Sequence, residues 1–109
     1  MIELDLMREN ATRANTLIKA MANKWRLLIL CHLAQSDKSV GELEALLGLG
    51  QSALSQHLAI LRRDNLVSTR RQAKSIIYSL SSPEATALMS VLYEVFCRKA
   101  ADVDGPPAS

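Results

Sequence analysis

"SVGELEALLGLGQSALSQHLAILRRD", residues 39–64, contains the start and stop signals of two short helices. Ser39 and Glu42 have the spacing of a capping box, in which each side chain binds a free backbone N–H of the other residue. The "GLG" turn ends this helix because glycine favours helix termination. The next helix runs from about Gln51 to Asp64. The pair predicts a helix-turn-helix unit.

The second helix of this unit has two chemically different faces. Leu54, Leu58 and Leu61 recur at steps of four and three, which places them on one buried stripe. Small side chains let a helix enter a major groove about 12 Å wide, and Ser and Gln can hydrogen-bond bases or phosphates. The face therefore predicts DNA contact, with an ordinary solvated face as the alternative. Its small and polar residues are Ser52, Ser55, Gln56, Ala59 and Arg63.

Two helices precede the unit. Asn23 can cap a helix that extends from Lys24 to about Gln35. This helix is apolar over most of its circumference. It is predicted to be the central core helix. The helix before it has one narrow apolar stripe of the kind that pairs with another helix, made of Met7, Ala11, Ala14, Ile18 and Met21.

A hairpin and a last helix follow the unit. "LVSTRRQ" and "SIIYSL" are rich in strand-forming residues around a short "AK" turn, which predicts a two-stranded hairpin. Ser81 or Ser82 before Pro83 starts a fifth helix that extends to about Lys99. This order predicts a mainly α (α+β) fold, a winged helix-turn-helix of about five helices with the hairpin as its wing.

The length of 109 residues supports one core, so residues 1–99 are predicted to form a single domain and residues 100–109 a disordered tail. No apolar run approaches the roughly 20 residues that span a bilayer. The first residues also lack the features of a signal peptide. We expect a cytoplasmic protein without a membrane partner, whose two cysteines are free or redox-active thiols.

Positive charge is concentrated in one part of the chain. The net charge is +2, but the segment from Arg62 to Lys74 has five basic residues and one acid, Asp64, which leaves −2 for the remainder. Such a patch favours a polyanionic partner, with a solvated charged loop as the alternative. Arg70, Arg71 and Lys74 of the wing would bind phosphates or the minor groove, unless they serve only solubility.

Two further residues of the second unit helix are candidate phosphate contacts. Gln51 lies at its amino end, where free backbone N–H groups attract anions. His57 lies on the edge of the leucine stripe, which favours a packed or phosphate-binding histidine over one that reads bases.

Three segments resemble the ArsR/SmtB family of dimeric bacterial repressors: "LIKAMANKWRLLIL", "SVGELEALLGLGQSALSQHLAILRRDNLVSTRR" and "IIYSLSS". The resemblance extends over about residues 12–98. It implies a homodimer formed through the first and fifth helices, with each recognition helix in a major groove of a two-fold operator. In this family, ligand binding lowers the affinity for DNA. One departure is Gly50, where a serine is common; glycine is also tolerated at a helix cap.

Most members of this family sense metals, and this sequence lacks their ligands. The arsenic and cadmium sensors have paired cysteines on the third helix, where this chain has "GELEALLG". The zinc and nickel sensors use histidine and carboxylates from the fifth helix, which here has no histidine. Cys31 and Cys97 with a stray His32 or His57 do not make a convincing four-ligand set. We predict neither a metal site nor a cofactor, and a metal-sensing repressor remains an alternative.

Cys31 in "RLLILC" and Cys97 near the end of the fifth helix resemble the pair in the BigR, SqrR and HlyU type of this family. That resemblance implies reactive sulfur species or oxidants as effectors, which join the thiols as a polysulfide or a disulfide. It implies a sequence-specific repressor of double-stranded operator DNA whose affinity falls on crosslinking. An anti-silencing activator of the HlyU type is an alternative. An enzyme is disfavoured because the chain has no Cys-x-x-Cys, nucleotide loop or acid–base cluster.

The bland alternative for both cysteines is core packing, since free cysteine is often buried. In an α-helix Cys97 would point toward the side of Ser90 and Tyr93, away from the apolar stripe. Cys31 lies at the margin of the apolar arc of its helix. Sequence does not supply the distance between the thiols, which decides whether a direct disulfide is possible. The stripe in question comprises Ala85, Leu88, Leu92 and Phe96.

Overall fold

The computed structural model describes residues 2–98 and has the predicted winged helix-turn-helix order. The predicted tail, 100–109, lies outside the described residues. Helices α3 and α4 form the helix-turn-helix unit, and strands β2 and β3 form the wing. The elements are α1 (Ile2–Met21), α2 (Lys24–Gln35), β1 (Lys38–Ser39), α3 (Val40–Leu47), α4 (Gln51–Arg63), β2 (Val67–Gln72), β3 (Ser75–Leu80), α5 (Pro83–Leu92) and a π-helical segment (Tyr93–Arg98).

Polar caps fix where three of the helices begin. The Asn23 side chain accepts hydrogen bonds from the backbone N–H groups of Trp25 and Arg26, at 2.9 and 3.2 Å. The predicted capping box of α3 is complete. Of the two candidate caps for α5, it is Ser82 that accepts from the backbone N–H of Ala85, at 3.0 Å. Each cap satisfies N–H groups that a helix start leaves unpaired.

The wing belongs to a three-stranded antiparallel sheet with the order β1-β3-β2. Tyr78 of β3 lies opposite Thr69 of β2 and, on its other side, opposite Lys38 of β1. The sequence predicted the hairpin but not β1, because two residues are too few to show an alternating pattern. The extra strand attaches the base of the wing to the start of α3.

One core lies between α2, the leucine stripe of α4, and α5. Ile29, Leu30 and Leu33 of α2 are buried, which confirms α2 as the central core helix. The predicted stripe of α4 is likewise buried. Among residues 2–98, no helix is long and apolar enough to cross a membrane.

The prediction of a continuous fifth α-helix to about Lys99 is wrong beyond Leu92. The chain continues as a π-helix from Tyr93 to Arg98. The predicted apolar stripe also divides, because Ala85 is fully buried whereas Phe96 is 68% exposed. Sequence patterns predict that a helix exists but do not reveal a π turn, which closes on the fifth residue instead of the fourth.

Candidate DNA interface and thiol pair

The two predicted faces of α4 are present. The stripe of Leu54, Leu58 and Leu61 is buried, and the opposite face is exposed. Gly50 provides no side-chain cap, so the first-turn N–H groups beside the exposed Gln51 are not satisfied by a capping side chain. Such groups favour an anion at this end of the helix. The exposed residues of the predicted reading face are Ser52, Ser55, Gln56, Ala59 and Arg63.

His57 is a half-buried residue held by a neighbouring helix. Nη1 of Arg26 lies 3.2 Å from Nδ1 of His57, and Nε of Arg26 donates to the carbonyl oxygen of Ala20 at 2.6 Å. Because a guanidinium can only donate, Nδ1 of His57 accepts and the ring proton is on Nε2. Burial and then the positive charge of Arg26 lower the pKa of His57. The neutral ring retains one N–H donor, which is compatible with a phosphate contact.

The three predicted cations of the wing differ in their surroundings. Arg71 and Lys74 are exposed, and neither has an ion pair among the described residues. Arg70 instead donates from Nη1 to Oδ2 of Asp37 at 2.7 Å and to Oγ of Ser79 at 3.1 Å. The hydrogen bond from Arg70 and then one from the Ser79 hydroxyl lower the pKa of Asp37. Arg70 is therefore a paired cation, a contact that the sequence analysis did not predict.

A groove of about 360 Å³ separates α4 from the wing. Ser55, Ala59 and Arg63 of the predicted reading face line it together with Arg62 and Tyr78. Arg63 is paired with Asp64 at 3.0 Å, whereas Arg62 has no ion pair in the part of the chain that the structure describes. The sequence analysis considered Arg62 only as one of the five basic residues of the segment from Arg62 to Lys74. Its place in this groove makes it an additional candidate for phosphate contact, because a free cation beside a reading helix attracts the DNA backbone.

Both cysteines are exposed free thiols, so the alternative that they are core residues is wrong. Partial burial of the Cys31 thiol raises its pKa, and the negative charge of a Cys97 thiolate raises it further. The fold thus places the two thiols, 66 residues apart in the sequence, within electrostatic reach.

We expect Cys97→Ser to move the pH dependence of Cys31 alkylation to lower pH. Thiolate is the reacting form, so a raised pKa slows alkylation at any pH below it. Serine removes the charge of Cys97 and lowers the pKa of Cys31, while the larger contribution of burial remains. Iodoacetamide labelling of Cys31, followed by peptide mass spectrometry from pH 7 to 10, measures the shift. Ser90→Ala is the matched control, and an unchanged curve in Cys97→Ser would contradict the proximity of the thiols.

Within residues 2–98, no group of three or more His, Cys, Asp or Glu side chains is arranged to hold a metal ion. The two histidines that the sequence analysis considered as metal ligands have different surroundings. His57 contacts Arg26, whereas His32 lies on α2.

Comparison with known proteins identifies relatives over most of the chain. The sequence pattern described as "Bacterial regulatory protein, arsR family" matches residues 23–69. The chain is 50% identical over 97 residues to the transcriptional activator HlyU of Vibrio cholerae serotype O1, covering 89% of this chain and 90% of that protein. It is 46% identical over 96 residues to the biofilm growth-associated repressor of Agrobacterium fabrum, covering 88% and 82%.

Solved structures agree with these sequence relatives. Reduced HlyU from Vibrio cholerae superposes with a TM-score of 0.81 at 53% identity, covering 84% of this chain and 96% of that one. The transcriptional repressor BigR from Xylella fastidiosa superposes with a TM-score of 0.78 at 40% identity, covering 85% and 95%. These relatives are named as transcriptional regulators and not as enzymes, which fits a non-enzyme.

Proposed function

This chain belongs to the arsR family of bacterial regulatory proteins, and from that membership we propose that it is an operator-binding repressor released by reactive sulfur. The repressor is a homodimer that loses affinity for DNA when Cys31 and Cys97 are crosslinked. The observation that carries the sulfur-sensing part is the pair of exposed thiols within electrostatic reach.

The exposed face of α4 supports sequence-specific binding. Ser55 and Gln56 are exposed and polar, and Ala59 leaves room for the helix to approach the bases. Gln51, His57 and the wing cations would bind phosphates, which orient the protein but carry little sequence information. The complete proposed contact set is Gln51, Ser52, Ser55, Gln56, His57, Arg63, Arg70, Arg71 and Lys74.

Exposed apolar side chains support the homodimer. Met7 is 65% exposed on α1, and Phe96 is 68% exposed on the π-helical segment. A second copy of the chain would bury these surfaces. Contiguous exposed apolar residues usually mark an interaction site. A two-fold dimer also presents two α4 helices to half-sites about 34–36 Å apart. Sedimentation equilibrium tests the dimer directly. The other exposed apolar residues of α1, α5 and the π-helical segment are Leu4, Leu6, Ile18, Leu88, Val91, Tyr93 and Val95.

A persulfide can supply the crosslink without a further oxidant. Each protein thiolate attacks the outer sulfur of a low-molecular-weight persulfide, which leaves as a thiol and converts the cysteine to a persulfide. The terminal sulfur of the Cys97 persulfide then attacks Sγ of the Cys31 persulfide. Hydrogen sulfide leaves, and a trisulfide with one inserted sulfur joins the two residues. The inserted sulfur relaxes the distance limits of a direct disulfide.

The crosslink would act through the shape of the dimer. It joins the core helix α2 to the segment that follows α5, and this segment has exposed apolar residues suited to the dimer interface. A coupling free energy of about 1–3 kcal/mol between two sites is typical and changes affinity roughly five- to 150-fold. The thiols therefore need no contact with DNA.

The name of one relative favours a second function. HlyU of Vibrio cholerae is described as a transcriptional activator. An anti-silencing activator would bind the same DNA but raise expression by displacing a silencing protein. A reporter fused to the upstream region separates the two, because deletion of the regulator raises expression under a repressor and lowers it under an activator. A metal-sensing repressor would instead bind zinc tightly and stoichiometrically.

Fluorescence anisotropy of DNA from upstream of the gene tests the proposal. We expect the reduced protein to bind, and protein treated with an organic persulfide to bind roughly five- to 150-fold more weakly. Cys31→Ser and Cys97→Ser should each remove the difference. Equal binding by both forms of the unmodified chain would refute the sulfur switch alone. Failure of reduced protein to prefer this DNA over a scrambled duplex would refute operator recognition.

A further inference from the structure

The π-helical segment changes the direction in which Cys97 points. A residue in an α-helix advances about 100° around the axis. A residue in a π-helix, whose turn closes on the fifth residue, advances only roughly 80°. Cys97 is five residues beyond Leu92, where π winding replaces α winding. The difference therefore accumulates to about a quarter of a turn.

These angles decide which side of α5 Cys97 occupies. Measured from Leu92, Ala85 lies at about 20° and Met89 at about 60° in α geometry. Continued α winding would place Cys97 at about 140°, beside the exposed Ser90. With π winding it lies at about 40°, between the directions of Ala85 and Met89. These two residues are buried, at 0% and 6% exposure, and define the inner side of α5.

The same winding accounts for the exposure of Phe96. In α geometry Phe96 would point at about 40°, toward the buried side of α5. With π winding it points at about −40°, which is also the direction of Leu88. Leu88 and Phe96 are both exposed, at 36% and 68%. The π turn thus turns Phe96 away from the side of α5 that faces α2 and turns Cys97 toward that side, where Cys97 remains exposed.

The inner side of α5 packs against α2, the helix that contains Cys31. A thiol turned to this side approaches Cys31, in agreement with the influence of a Cys97 thiolate on its neighbour. A thiol at the position of continued α winding would point along the exposed flank instead. The thiols are free in this structure, so the π winding is present before any crosslink forms.

We propose that the π-helical segment Tyr93–Arg98 positions Cys97 for crosslinking to Cys31, and that the crosslink in turn holds this winding. The inference rests on the proposed sulfur switch and specifies the segment that brings the two thiols together. Because the winding also sets the direction of Phe96, a crosslink that holds the winding also holds this side chain in its outward direction. Rewinding to an α-helix would separate the thiols and turn Phe96 inward.

Moving the thiol by one residue tests the winding. In the double variant Phe96→Cys/Cys97→Ser, the cysteine takes the place that would face α2 if the segment were α-helical. Diamide removes two hydrogens from a thiol pair and becomes the hydrazine, leaving a disulfide whose formation mass spectrometry follows. The crosslinking rate of each protein is divided by the rate at which iodoacetamide alkylates its cysteines. This correction removes differences in the reactivity of the individual thiols. We expect the unmodified chain to crosslink at least about tenfold faster than the double variant.

An equal or faster rate in the double variant would overturn the proposal. Phe96 is exposed, so its replacement leaves the core intact. If the double variant fails to dimerise, scalar couplings through hydrogen bonds in the unmodified protein decide instead. Coupling of the Cys97 amide to the carbonyl of Leu92 is expected, and coupling to Tyr93 would refute π winding. None of these measurements uses DNA, so a positive result would survive failure of the proposed operator binding.

Discussion

Replacing Leu54 with alanine is expected to lower the free energy of unfolding by about 2–5 kcal/mol. Leu54 is fully buried in the stripe by which α4 packs on the core. The substitution removes apolar contacts and leaves a cavity that the rigid surroundings fill only in part. This loss is a large fraction of the total stability of a small domain, which is about 5–15 kcal/mol.

Urea unfolding, followed by circular dichroism and the fluorescence of Trp25, measures the effect of Leu54→Ala. Protein concentration must be the same for all variants, because the proposed dimerisation would contribute to the measured stability. Leu46→Ala is the matched control, since Leu46 on α3 is 50% exposed and its truncation should cost less than about 1 kcal/mol. Equal losses in the two variants would contradict the position of Leu54 in the core.

Gln56→Glu is expected to weaken operator binding by more than about 100-fold, through the loss of an amide donor worth about 1–3 kcal/mol and added repulsion. Gln56 is exposed at the centre of the proposed reading face of α4. Its amide can both donate and accept, whereas a carboxylate only accepts and is repelled by nearby phosphates. The substitution preserves shape, so the fold should be unaffected.

Gln35→Glu supplies the control for Gln56→Glu, because it makes the same change of charge at the exposed end of α2. We expect only a few-fold loss there, from the change of net charge. Anisotropy titrations of both variants at one salt concentration make the comparison, since affinity for DNA depends steeply on salt. A similar loss in the two variants would mean that α4 does not read the bases.

The sequence predicted the features that have strong local signals. Asn23, Ser39 and Ser82 cap helices where the pattern of capping residues indicated, and the leucine spacing of α4 predicted its buried side. Strand β1 was missed because it exists only through pairing with β3. Propensity and periodicity describe neighbours along the chain, so they carry no information about such long-range pairing.

The candidate site was predictable in its residue types but not in its geometry. The proposed approach of Cys97 to Cys31 depends on the winding of six residues, which the apolar pattern alone assigned to an ordinary α-helix. The contact between Arg26 and His57 joins residues 31 positions apart. Arg70 was predicted as a phosphate or minor-groove contact, and its partner Asp37 is 33 residues away. The last two features arise from contacts between elements that are distant in sequence.

The ion pair between Asp37 and Arg70 bears on how such a protein would search a genome. Until a phosphate replaces Asp37, the wing would attract DNA with one cation fewer. Each phosphate contact adds to the affinity of a protein for arbitrary DNA sequences. Because the protein would then bind arbitrary sequences more weakly, it would dissociate sooner from DNA that does not contain the operator. When the protein is bound at its operator, Arg70 can then leave Asp37 and contact a phosphate. The carboxylate of Asp37 would thus slightly lower the affinity for DNA and shorten the time that the protein needs to reach its operator.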